Sequence, residues 1–323
     1  MRRREFSTVL AGAAAWPLMA RAQQPTPAVI GFLGMAPASS YASRMQGLRS
    51  GLRERGYVEG QNVAFELRWA DSPAQLSELA ADLAKRRVAV IGTSGNAATR
   101  AAKAATPNIP IVFSAADDPV KLGFVTSFNR PGGNVTGVSL ISGALGPKRL
   151  ELLRSFVPDA TVIAVLTNPR NPAEDNLRSE QAAARAIAQR IIVLDASSVA
   201  EIEQAFATIA RERANAVLVN ADALFTAERE RLVALAARNR VPAIYAWREF
   251  PEAGGLMSYG TNLNRSYHQI GMYVGRILKG EKPADLPVIQ PTNFEFIINV
   301  RTAKSLDLAV PDRLLALADE VIE

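Results

Sequence analysis

Two carboxylates stand side by side at Asp117 and Asp118, in a stretch that runs I-P-I-V-F-S-A-A-D-D-P-V from Ile109 to Val120. Ile111, Val112 and Phe113 are β-formers between a proline and a polar turn, the pattern of a short strand buried on both faces. In an open α/β sheet, ligands bind beyond the carboxyl ends of the strands. Such an end here offers the Ser114 hydroxyl, the small Ala115 with approachable backbone amides, and two carboxylates. Either aspartate pairs with an ammonium group or caps its own turn, since Asp-Pro is also ordinary turn chemistry. Adjacent side chains point apart, which argues against joint general acid–base work.

Enzyme constellations are thin elsewhere. His268 is the single histidine, and it falls inside a helical pattern where a structural role is the ordinary one. No G-x-S-x-G elbow would place a serine nucleophile. The absence of cysteine removes disulfides, thiolate metal sites and a cysteine nucleophile. Gly31-x-x-Gly34 lacks the third glycine of a dinucleotide fingerprint, and there is no phosphate-binding loop. The expectation is a protein that is not an enzyme and carries no cofactor or metal.

Ligand-holding chemistry is richer, and it recurs wherever an apolar run ends. The set comprises Ala38 and Ser39; Thr93, Ser94, Gly95 and Asn96; Ser114, Ala115, Asp117 and Asp118; Asn168 and Asn171; Asn220 and Asp222; and Trp247 with Arg248. Helix starts carrying Ser, Thr or Gly present unpaired N–H groups to a carboxylate. Asp117, Asp118 or Asp222 suits an ammonium, Trp247 a planar group, and Arg248 a carboxylate held bidentately. Each residue alone also reads as a cap, a turn or packing. Their common position at one end of two sheets carries the argument.

The elements that must position them alternate. Strands are expected at Val29–Leu33, Val63–Trp69, Val88–Ile91 and Ile111–Phe113. Between them lie a helix capped by Ser39 or Ser40 with Met45, Leu48 and Leu52 on one face, a helix begun by Ser72-Pro73, and an Ala-rich helix after Asn96. The turn cluster Asn129–Asn134 reads as the passage to a second lobe, with Val135–Leu140 extended. The alternation then restarts: helix Pro147–Phe156, strand Val162–Leu166, a helix to Gln189, strand Ile191–Leu194, a Ser198/Glu201 capping box, strand Ala216–Val219, a helix capped by Thr226, strand Val241–Tyr245, helix Arg265–Leu278 and strand Phe294–Val300. Two runs of β-α units argue for an α/β fold of two doubly wound parallel-sheet lobes.

The first residues stand apart. Arg2, Arg3 and Arg4 precede an apolar run from Val9 to Ala20 that is too short to span a bilayer, and Ala20-Arg21-Ala22 is a small-x-small site. Residues 1–22 therefore read as a cleaved secretory signal. Arg3-Arg4-x-Phe6 resembles a twin-arginine signal, a general secretory signal being the alternative. Half of the formal +6 charge leaves with that segment, and no dense basic run remains to suggest nucleic acid. The expected location is the periplasm.

Four stretches carry a resemblance: Ile109-Pro-Ile-Val-Phe through Asp118-Pro-Val, Arg130-Pro-Gly-Gly-Asn-Val-Thr-Gly-Val, Ile277-Leu-Lys-Gly-Glu-Lys-Pro-Ala-Asp-Leu-Pro, and Asn299-Val-Arg-Thr-Ala-Lys-Ser-Leu. Together they are similar to the ABC-transporter substrate-binding proteins whose characterised relatives take up tryptophan or tyrosine. The resemblance implies the type I periplasmic-binding fold, with a three-strand hinge and the ligand in the cleft. It implies a first lobe of residues 27–140 plus 259–287 and a second of 141–258 plus 288–323. It further implies a monomer that closes on an amino acid or aromatic acid and delivers it to an inner-membrane permease. Two loops depart from the pattern of the amino-acid binders: Asn168-Pro-Arg-Asn-Pro stands for a more Ser-rich loop, and Trp247-Arg248-Glu249 for a smaller, Ser/Asp-type one. A sensory domain of the same fold and an exported α/β enzyme are the rival readings.

Overall fold

The computed structural model describes residues 27–35, 38–170 and 174–323. The expected signal segment and Asn171 lie outside the described residues.

The first sheet holds β1 (Ala28–Met35), β2 (Val63–Ala70), β3 (Val90–Ser94), β4 (Ile111–Ala115) and β5 (Val135–Ser139), all parallel, in the order β2-β1-β3-β4-β5. The crossovers carry α1 (Ala42–Glu54), α2 (Pro73–Lys85) and α3 (Asn96–Ala105). Side chains alternate along β4: Ile111, Phe113 and Ala115 join the core under α2 and α3, while Val112 joins the core under α1. That two-sided burial is why the strand reads as a continuous apolar run.

In the second lobe α4 (Gly146–Phe156) is followed by β6 (Val162–Thr167), α5 (Glu174–Ala186), β7 (Arg190–Asp195), α6 (Val199–Arg211), β8 (Ala216–Val219), α7 (Ala223–Ala227), α8 (Arg229–Arg238), β9 (Ala243–Tyr245), α9 (Glu249–Glu252) and β10 (Met257–Thr261). Next comes α10 (Leu263–Leu278), then β11 (Phe294–Asn299), α11 (Val300–Ser305), α12 (Asp312–Leu317) and β12 (Glu320–Ile322). The second sheet runs β12-β11-β10-β9-β8-β6-β7. β10 and β11 pair antiparallel, the exception to the expected parallel order. One strand carries the chain out toward the first lobe and the other brings it back, so the two must run in opposite directions.

α10 belongs with the first sheet despite its place late in the chain. It packs along α1, where a Cβ on Gly51 or Gly271 would overlap the carbonyl of His268 or Leu48. Asn262 caps the helix through Arg265 N–H at 3.0 Å, two residues earlier than the sequence pattern indicates.

Three segments link the lobes. Thr261 Oγ1 donates to Leu140 O at 3.2 Å, and Ile289 bridges to Val138 beside β5. The fully buried Arg149 donates to Ser142 O at 2.7 Å and Tyr259 O at 3.4 Å. Pairing moves the expected boundaries slightly. Tyr259–Thr261 lie within β10 in the second sheet, and Val288 and Ile289 pair with the first lobe.

Two expected caps differ. α1 follows a 3-10 turn, Ala38–Tyr41, without a side-chain cap. Asp222, not Thr226, opens the helix after β8, and Thr226 Oγ1 instead donates back to Asp222 O at 2.8 Å. The Ser198 cap forms, but the Glu201 carboxylate takes the Ser197 N–H at 2.6 Å.

Candidate functional site

Each sheet reverses its strand order once, between β1 and β3 in the first lobe and between β6 and β8 in the second. Loops leaving the carboxyl ends at such a point diverge and open a crevice. The two crevices meet in one cavity of about 260 Å³, lined by Met35, Ser94–Asn96 and Ser114 from the first lobe and by Asn168, Ala221, Asp222 and Trp247 from the second. That volume is near the lower end of small-molecule sites, about 300–1,000 Å³.

The first-lobe wall is built around the start of α3. Gly95 has φ 87°, a left-handed conformation that glycine tolerates, and its N–H donates to Ser114 O at 2.8 Å. The turn delivers Ser94, Asn96 and the α3 N-terminus to the cavity. Tyr267, from α10, donates its hydroxyl to Ser94 Oγ at 2.5 Å. Beside them Arg44 is buried, its guanidinium 4.9 Å from the Tyr41 ring centroid. Burial opposes the charge on Arg44, but Tyr267, Glu249 and Tyr41 outweigh it and hold the guanidinium above its ordinary pKa. Burial also pushes the Tyr41 hydroxyl up to about 12; that hydroxyl donates to Met35 O at 2.9 Å.

On the second-lobe wall, Asp222 accepts from Leu224 N–H at 2.8 Å and from Asn168 Nδ2 at 3.0 Å. Trp247 lines the cavity while packing in the core, 5% exposed. Leu140, Leu224 and Leu263 add apolar surface.

Other expected site residues sit elsewhere. Asp118 accepts from Val120 N–H at 2.8 Å and Lys121 N–H at 3.3 Å, closing its own turn away from the cavity. Asp117 turns to a polar void of about 10 Å³ shared with Arg149, Asn176 and Asn220. Asn220 faces that void and donates to Glu180 Oε2 at 3.0 Å. Thr93 is buried against Thr99 at 2.8 Å, and Ala115 is fully buried, both as inward positions of their strands. Ala38 is exposed in the 3-10 turn. The Ser39 side chain, like Asn171, lies outside the described residues. Arg248 points away from the cavity into an ion cluster with Glu252 at 2.7 Å, Glu295 at 3.0 Å and Glu320 at 2.7 Å. It borders a wider groove beside the crossovers.

Sequence reasoning missed Tyr41, Arg44 and Tyr267, all of which line the cavity. A signal was present. Tyr41, Arg44, Met45, Leu48 and Leu52 share one helical stripe by their i, i+3, i+4 spacing, so Arg44 is a charge on an otherwise apolar face.

A family model described as ABC transporter substrate binding protein matches residues 30–322. A tyrosine-binding protein of Clostridioides difficile (strain R20291) is 27% identical over 285 residues, covering 86% of this chain and 81% of that one. The crystal structure of a conserved domain protein from Vibrio cholerae superposes with a TM-score of 0.85 at 26% identity, covering 92% of this chain and all of the other. An ABC domain from Streptococcus pneumonia in complex with L-Trp gives 0.84 at 23% identity, with the same coverage.

Proposed function

Because this chain belongs to the ABC transporter substrate-binding protein family, we propose that it captures a small molecule in the cleft between its lobes and hands it to a membrane permease. The observation that carries this reading is the cavity of about 260 Å³ walled by strand ends of both sheets. A ligand held by both walls favours the closed arrangement by its differential affinity for it. Ser94, Gly95, Asn96 and Ser114 hold it from one side, Asn168 and Asp222 from the other, and Trp247 stacks on its body. The ligand is an amino acid or aromatic acid, a class supported by the tyrosine-binding relative. Micromolar affinity corresponds to roughly −8 kcal/mol, within reach of a few desolvated charge-assisted bonds and one stacked ring.

The protein is read as exported to the periplasm by its first residues and as working there as a monomer with an inner-membrane permease. No helix among the described residues is long and apolar enough to cross a membrane. The test is thermal melting of the chain from residue 23 onward against amino acids, aromatic acids, sugars and small amides. A ligand of the native state raises the melting temperature by mass action. A saturable shift that is lost in Ala97→Phe, which fills the cavity from an exposed position at its wall, supports the reading. Silence across the panel before and after unfolding and refolding contradicts it.

A further inference from the structure

We propose that the polar void behind the ligand cavity is the seat of one ordered water molecule, which accepts from Arg149 Nε, donates to Asp117 and to the Asn176 or Asn220 carbonyl, and so joins the two lobes beside their hinge. Such a bridge goes beyond the cleft reading and serves whichever molecule the cavity takes.

Arg149 carries the inference. Its side chain is fully buried. Its two terminal nitrogens are spent at the hinge, on Ser142 O at 2.7 Å and Tyr259 O at 3.4 Å. The remaining donor, Nε, is buried with no hydrogen-bond partner among the described residues, and Arg149 lines the void. An unpaired donor on a buried charge is costly, and a small acceptor removes that cost. A buried water makes about three hydrogen bonds, and acceptors for its own protons are at hand. Asp117 takes one bond from Asn96 at 2.6 Å and one from Asn176, while a carboxylate offers about four acceptor positions. Asn176 and Asn220 direct their amide N–H groups to Asp117 and Glu180. Both line the void, and each keeps a carbonyl acceptor.

Size and charge choose the occupant. The void measures about 10 Å³, room for about one water and nothing larger. A cation would meet the Arg149 guanidinium, and an anion would meet Asp117 and Asp222, all of them on the wall. Water donates and accepts without adding charge.

Its position gives the water a role. Asn168, Ala221 and Asp222 line both the ligand cavity and the void, and the Asn168–Asp222 bond at 3.0 Å lies in that partition. Asp117 comes from the first lobe, and Arg149, Asn176 and Asn220 from the second. The water therefore backs the ligand wall and ties it to the arginine that grips Ser142 and Tyr259 beside the crossovers.

The experiment is a crystal structure of the chain from residue 23 onward at near-atomic resolution, with parallel crystals soaked in bromide and in rubidium salts. One fully occupied water is expected within about 3 Å of Arg149 Nε, Asp117 and an Asn176 or Asn220 carbonyl, with no anomalous peak there. If the crystal holds the lobes further apart, the water is expected on Arg149 and the asparagines, its contact with Asp117 lost. An empty void, Arg149 Nε paired directly with a protein group, or bromide or rubidium at the site overturns the proposal. Thermal melting of two variants reads the bridge in solution. Asn220→Leu keeps the bulk but removes the acceptor, and it should lower the melting temperature by several degrees. Asn220→Ser leaves room for a second water in place of the amide, and it should recover most of that loss. A Leu variant as stable as the Ser variant would mean that the amide does not serve a water, and overturns the bridge.

Discussion

Asn176 Nδ2 donates to Asp117 Oδ1 at 2.5 Å, joining α5 of the second lobe to the loop after β4 in the first. Asn96 holds the other carboxylate oxygen at 2.6 Å. The aspartate thus stands between the lobes as a shared acceptor, deeper than the cavity. Hydrogen bonds to charged groups contribute about 1.5–3 kcal/mol, so this bond holds the two lobes in the arrangement seen here. Asn176→Ala should open the protein, read as a larger radius of gyration by solution scattering. Gly143→Ala should do the same, because a Cβ there would overlap the Asn176 amide. Unchanged scattering from both variants would remove the latch from the account.

Asp117 also makes a pH prediction. Burial raises its carboxyl above the ordinary 3.8, against the pull of the Asn176 and Asn96 bonds. The native protein therefore holds this proton where the unfolded chain has lost it. The cost of the buried charge is fully present above the raised folded value, and native stability recovers as pH falls through that value toward 3.8. Melting temperatures of wild type and Asp117→Asn should converge or cross in that window, the wild type gaining relative to the variant as pH drops. Parallel curves would show that Asp117 does not titrate differently on folding.

The contact of α1 with α10 is tight enough to predict a packing cost. Gly51 faces the His268 carbonyl with no room for a methyl group. Gly51→Ala should cost about 1–3 kcal/mol through overpacking. At roughly 2–4 °C per kcal/mol for chains of this order, the melting temperature falls by several degrees. Ligand affinity should fall with it, since α10 carries Tyr267 and Leu263 to the cavity. An unchanged melt would mean the helices separate at no cost.

Arg248 separates the structural reading from the one its sequence suggests. Burial works against its charge, and the bonds to Glu252 and Glu320 with the nearby Glu295 raise its pKa well above the ordinary value. Its partners lie on α9, β11 and β12, so Arg248→Ala should loosen that edge of the second lobe by about 1–3 kcal/mol. Ligand affinity should stay within a factor of about two. A large affinity loss with an unchanged melt would return Arg248 to the binding site.

The two runs of β-α units were legible because short apolar strands ending in turns are a local signal, and so was the placement of Ser94, Asn168 and Asp222 at strand ends. The direction of a side chain in a loop is not local. Asp117 and Asp118 are the same residue type in the same turn, and only the fold shows that Asp118 closes the turn while Asp117 meets another lobe. Arg44 and Tyr267 lie more than two hundred positions apart, and the glycine-lined contact of α1 with α10 brings their helices together. Arg248 looked like a ligand-holding residue because Glu295 and Glu320, its partners, are remote in sequence.

Trp247 offers the most direct test of ligand capture in the cleft. Beyond residue 26 the chain has two tryptophans, Trp69 and Trp247, so a Trp69→Phe protein reports from the cavity wall alone. Its emission should be titrated with a non-fluorescent ligand that raises the melting temperature, alongside calorimetry. Binding in the cleft predicts a saturable change in Trp247 emission with the calorimetric affinity, lost together with the heat in Ala97→Phe. Saturating heat with Trp247 emission unmoved, and the same affinity in Ala97→Phe, would place the ligand elsewhere and contradict the account.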